Sequence, residues 1–128
     1  MKLVDIVNAR KVISAKATEK LEFGLAYKFA KFIKLTNDDE DFYVRHQKKL
    51  IEQYCKKDDE GNIIPDENGR YQFDDDKIKP LNEKLKELAD TDVEILNTCK
   101  FTAEELKPIQ FSIEEVLALG DLIKDDAE

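Results

Sequence analysis

The chain has 128 residues, 39% of them charged and 41% apolar, and a net charge of −8. That length suits one domain with its own core, and the composition excludes both a disordered polyelectrolyte and a membrane-embedded protein. With only four Gly and three Pro, the punctuation that a many-stranded sandwich or barrel needs at its turns is missing, so a mainly helical α+β domain is expected.

The opening MKLVDIVNARKV places Asp5, Asn8 and Arg10 where a signal peptide needs an unbroken apolar run, and no stretch approaches the ~20 apolar residues of a membrane span. A cytoplasmic location is expected. Leu3 to Ala17 carries Leu3, Val4, Ile6, Val7, Val12 and Ile13 at helical spacing, with a short strand over LVDIV as the alternative. From Phe23 onward Leu25, Phe29, Phe32, Ile33, Thr36, Tyr43, Leu50 and Tyr54 recur at steps of three, four and seven, which predicts a helical stripe. One continuous helix from Gly24 to Cys55 is preferred, because no Gly or Pro breaks it. The competing reading starts a second helix at Asn37, where Glu40 completes an approximate capping box.

Gly61 ends that helix. A β-hairpin is predicted over 58–76, with Asn68 and Gly69 as a two-residue type I′ turn, so that Glu67 faces Arg70, Asp66 faces Tyr71 and Ile64 faces Phe73. Asp74–Asp76 cap a return helix from about Lys77 to Ala89, with Pro80 in its first turn and Ile78, Leu81, Leu85 and Leu88 on its buried face. The alternating run Val93 to Phe101 predicts one short strand, paired with the hairpin or with the N-terminus. Thr102 with Glu105, and Ser112 with Glu115, are capping boxes that open two short helices on either side of Pro108. Residues 124–128 read as a frayed tail.

Charge divides the single domain 1–128 unevenly. Residues 1–57, a basic helical half, hold 13 Lys/Arg against 8 Asp/Glu, and residues 58–128 hold 8 against 21. The acidic share falls on the hairpin and on the acidic half 77–128.

No constellation for catalysis emerges. His46 is the sole histidine, and nine residues of helix would set it about 13 Å from Cys55. Cys55 and Cys99 follow no CxxC pattern and read as small buried apolar residues of a reducing compartment. The acidic clusters 38–41, 58–60 and 74–76 match no metal loop, since Gly61 at the sixth place of an EF-hand would put Lys56 at its first ligand position. The chain is read as a non-enzyme with no metal and no cofactor. Nucleic acid is disfavoured as a partner by the net charge and the absence of a motif, although Tyr27, Lys28, Phe29, Lys31, Phe32 and Lys34 interleave rings with cations.

AYKFAKFIK at 26–34, EQYCKKDDEGNIIPDENGRYQF at 52–73 and FTAEELKPIQFSIEEVLALGDLI at 101–123 occur in an order that resembles a family of small uncharacterised proteins carried by tailed bacteriophages and prophages. The resemblance implies a phage-encoded accessory or structural protein and transfers no catalytic or binding residues. Two functions are thus expected: a non-enzymatic phage protein that acts by binding protein, or an acidic inhibitor that mimics nucleic acid and occupies a host protein. The expected interaction surface is the stripe of Phe29, Phe32, Ile33 and Tyr43. A homodimer in which identical stripes meet across a two-fold axis is the simplest partner.

Overall fold

The computed structural model describes residues 1–95 and 99–124. It holds six helices, α1 (Leu3–Lys16), α2 (Phe23–Leu35), α3 (Asn37–Tyr54), α4 (Asp75–Ala89), α5 (Ala103–Leu106) and α6 (Ile113–Leu119), with a two-stranded parallel sheet of β1 (Phe101–Thr102) and β2 (Ile123–Lys124). The expected helical α+β class is observed. Helix α1 lies at the centre, against α2, α3, α4 and α6, while α3 packs along α4.

The core gathers residues from both ends of the chain. Ile6, Ala9 and Ile13 of α1 and Leu25, Phe29 and Phe32 of α2 meet Cys99, Phe101, Leu106, Ile109, Leu119 and Leu122. Phe29 meets the Phe101 ring edge-on at 5.2 Å, an arrangement that sets positive ring edge against negative ring face. Both C-terminal capping boxes form as expected: the Thr102 and Ser112 hydroxyls accept from the Glu105 and Glu115 N–H groups, and each glutamate accepts from its cap residue's N–H in return.

Several expectations are corrected. The long helix is not continuous, because Thr36 leaves helical geometry (φ −102°, ψ 6°) and separates α2 from α3. A buried side chain causes the kink. Arg10, reaching across from α1, donates to the Ile33 carbonyl (2.6 Å), to Thr36 Oγ1 (2.8 Å), to Asn37 Oδ1 (3.2 Å) and to the Glu40 carboxylate. The Ile33 carbonyl is thereby drawn to a side chain, and Thr36 Oγ1 donates back to the Phe32 carbonyl; both insertions bend helices. The chain nevertheless runs on in the same sense, since Thr36 N–H still reaches the Phe32 carbonyl and Glu40 N–H the Thr36 carbonyl.

The hairpin is the second correction. Residues 58–73 form no strand ladder but two successive tight turns, tied by isolated antiparallel bridges at Lys57 with Ile63 and Pro65 with Tyr71. The pairing is one residue off the expected register, so Asp66 faces Arg70, and its N–H donates to the Arg70 carbonyl at 2.8 Å. Only Gly69 (φ 76°) takes positive φ and Asn68 does not, which makes a three-residue loop rather than a two-residue type I′ turn.

Third, no strand spans Val93 to Phe101: β1 is Phe101–Thr102, its partner is β2, and Leu96–Thr98 lie outside the described residues. The N-terminus does pair nearby, through Lys2 with Asp92 and through Val93 N–H to the Met1 carbonyl. Helix α4 starts at Asp75, two residues before the expected Lys77, because the Lys77 N–H closes on the Asp74 carbonyl. Pro80 therefore sits inside the helix rather than in its first turn. Of the expected frayed tail, Lys124 belongs to β2 and 125–128 lie outside the described residues.

Candidate interaction surfaces

The one histidine and the two cysteines each have structural neighbours. His46 is half-buried with its ring edge-on to Phe42 at 4.1 Å. Cys55 is buried, its Sγ donating to the Glu52 carbonyl at 3.2 Å, and Cys99 is buried in the core. Among the described residues no group of three His, Cys, Asp or Glu converges. Asp38, Asp39 and Glu40 of the cluster at 38–41 lie in the first turn of α3, where carboxylates meet the positive end of the helix dipole. Asp39 is held above its ordinary carboxyl value by burial and by the charge of Asp38, against the pull of Arg10.

Of the four residues expected to form an interaction surface, Phe29 and Phe32 are core, Phe32 being 0% exposed. Ile33 packs half-buried at the edge of that core, and Tyr43 is half-buried on α3. The N-terminal segment supplies the cover, for α1 and the C-terminal segments close over the α2 stripe. A two-fold dimer through Phe29 and Phe32 is therefore not available to the folded chain.

Exposed apolar groups stand on several elements, Ile113 and Leu117 of α6 among them; those on the two turns and on the far side of α2 lie beside a surplus of one sign of charge. The two turns are copies of one device. In each, an Asp N–H bonds to the carbonyl four residues on (Asp58 to Asn62, Asp66 to Arg70) and a Gly N–H closes on the Asp carbonyl. The same Asp presents Oδ1 to two backbone donors, Glu60 and Asn62 in one turn, Asn68 and Arg70 in the other. Gly61 and Gly69 supply the positive φ, 85° and 76°, that each turn demands. The spacing is eight residues, and Asp74 continues it: with Lys77 in place of a glycine, the third copy runs into α4.

This two-turn unit closes on the end of α3. Lys56 N–H donates to the Gln72 carbonyl at 2.7 Å, Ile64 N–H to the Lys56 carbonyl at 2.9 Å, and Gln72 Nε2 to the Pro65 carbonyl at 2.8 Å. The Tyr71 hydroxyl donates to Glu52 at 3.1 Å, and that bond with the glutamate charge raises the phenol above its ordinary value. Residues 58–76 hold eight acids against Arg70 alone, a net of −7. Among the described residues only Asp74 of these acids has a basic partner, Lys56 at 3.6 Å. Ile63 and Tyr71, equivalent positions of the repeat, stand exposed beside these charges, as does Ile64.

The second surface is the far side of α2. Phe23 (83% exposed) and Tyr27 (59%) stack with ring centroids 6.1 Å apart, on the side opposite Leu25, Phe29 and Phe32. Comparison of the chain with family models, curated proteins and solved structures found no match.

Proposed function

We propose that the chain acts by binding protein rather than by catalysis, as an accessory or structural protein of a bacteriophage or prophage. The observation that carries this reading is the two-turn unit. Its backbone is over-determined by hydrogen bonds, so it presents carboxylates and the apolar side chains Ile63, Ile64 and Tyr71 on a scaffold that loses little entropy on binding. Apolar anchors ringed by one sign of charge suit a partner surface of the opposite sign, here basic. The phage assignment rests on the resemblance of the three sequence segments described above.

Tagged chain recovered from phage-producing cells tests the reading, with Asp59→Lys/Glu67→Lys as the comparison. Both positions are exposed, so the variant keeps the fold. The wild type is expected to retain a partner that the variant loses and that added salt releases. Identical capture by both chains would sink the proposal.

The unpaired carboxylates also favour a second reading, a nucleic-acid mimic that occupies a basic host protein. Duplex DNA then competes with the chain for the captured protein, whereas an assembly partner is indifferent to it. The position of the gene among virion genes or apart from them separates the two readings independently.

A further inference from the structure

Helix α2 presents two faces of different chemistry. At 100° per residue, Phe23, Tyr27, Lys31 and Lys34 share the side opposite the buried Leu25, Phe29 and Phe32. No acid lies between Phe23 and Leu35; Glu22 precedes the helix. Among the described residues neither Lys31 nor Lys34 has an ion-pair partner, whereas Lys28, on the flank, is held by Glu105 at 2.7 Å. Two aromatic rings in water beside unpaired cations match a partner that is negative and carries protruding apolar side chains.

That description fits the two-turn unit, with its net charge of −7 and its exposed Ile63, Ile64 and Tyr71. Within one chain the surfaces stand apart. Helix α3, 18 residues and so about 27 Å long, separates them, and it continues in the same sense as α2 through the kink.

We propose that the two-turn unit of one copy docks on the outer face of α2 in the next copy, head to tail. The argument rests on the reading of the two-turn unit as a binding surface and adds its occupant. Because the two patches differ, the contact is heterologous: a docked pair keeps one free patch of each kind, one on each copy, so association continues into a ring or a filament instead of stopping at a two-fold dimer.

Two variants decide it. One is Asp59→Lys/Glu67→Lys, with α2 intact; the other is Tyr27→Ser/Lys34→Gln, with the two-turn unit intact. All four positions are exposed, and circular dichroism verifies the fold of each variant. Light scattering at low ionic strength is expected to show a wild-type mass that climbs with concentration past two chains and falls back on added salt. Each variant alone is expected to need about tenfold or more the concentration to associate. Mixed in equal amounts, they supply one intact contact between them and are expected to form a dimer that grows no further.

Association that survives in both variants, or a mixture that stays monomeric, overturns the proposal. So does a wild-type chain that remains monomeric throughout, including one that binds a single-stranded oligonucleotide through Tyr27. If that monomeric chain still captures a basic partner lost by Asp59→Lys/Glu67→Lys, only the head-to-tail contact falls. Loss of both results removes the binding reading itself.

Discussion

Replacing Arg10 with Met keeps most of the apolar stem and removes every donor that α1 supplies to the kink, leaving only the Thr36 hydroxyl on the Phe32 carbonyl. The Arg10 side chain is 9% exposed, and four acceptors depend on it: the Glu40 carboxylate, the Ile33 carbonyl, Thr36 Oγ1 and Asn37 Oδ1. A buried acceptor left unsatisfied costs about 1–3 kcal/mol, and the Ile33 carbonyl and the buried Thr36 are the two most affected. Glu40, with 38% of its side chain exposed, turns to water and contributes at the low end of what a broken ion pair costs. The sum is about 3 kcal/mol, which for a chain of this size lowers Tm by about 10 °C. Calorimetry of Arg10→Met, Glu40→Gln and the double variant is the assay, with a coupling of about 1–2 kcal/mol expected between the two sites. Asp39 loses the cation that opposes its upward shift, so its carboxyl titrates higher still in Arg10→Met, as NMR would read. A fall in Tm below about 3 °C, or complete additivity, would show that something other than Arg10 sets the kink.

Three further outcomes are expected. In the two-turn unit, Gly61→Ala and Gly69→Ala each cost about 1 kcal/mol in urea unfolding through positive-φ strain alone, since open space surrounds both positions; Asn68→Ala costs under about 0.5 kcal/mol, and an equal cost at Asn68 would restore the two-residue turn. Thr102→Ala and Ser112→Ala each lose a capping box, about 1 kcal/mol apiece by thermal melting, and no loss at either would deny the caps their part in stability. Burial alone would raise the Glu105 carboxyl, but Lys28 and the Thr102 N–H and hydroxyl hold it below the ordinary value of 4.5. A lowered folded value gives stability that is complete above the unfolded pKa and is lost as pH falls through the folded one. Lys28→Met is therefore expected to differ from wild type in stability at neutral pH and to converge on it in acid once Glu105 is protonated in the folded chain, as urea titrations at several pH values would read; a difference that persists unchanged there would contradict the ion pair.

What the sequence makes legible follows the range of the interactions involved. The capping boxes at Thr102 and Ser112 and the apolar faces of α1 and α4 are set by residues within a turn or two of each other, and they are found where expected except at the start of α4, where Ile78, expected on the buried face, stands 45% exposed while Leu81 and Leu88 are buried. The break at Thr36 falls at the helix start that Asn37 and Glu40 offered as the competing reading, but the side chain that holds it is Arg10, 26 residues away from Thr36, and no local pattern announces that contact. The stripe through Phe29 and Phe32 is plain in the spacing, but whether a second copy or the chain's own α1 covers it depends on tertiary packing. That stripe also obscured Phe23 and Tyr27, because α2 is apolar on both sides and only the fold distinguishes the face that stays in water. In the two-turn unit the glycines mark the turns correctly. The missed signal is the recurrence of Asp at 58, 66 and 74, which places Asp66 rather than Glu67 at the base of the loop and shifts the register by one.

The position of α1 has a consequence for synthesis. Ile6, Ala9 and Ile13 are buried with Leu119 and Leu122, residues translated about a hundred codons later. At about 5–20 residues per second, the first helix emerges from the ribosome roughly 5–20 s before the segment that closes over it. Throughout that interval Ile6 and Ile13 have no native cover from the C-terminal segment, and the nascent chain offers a binding site to the cell's chaperones. Ribosome-bound chains stalled before Ile113 are thus expected to stay protease-sensitive in α1, and release of the completed chain to protect it.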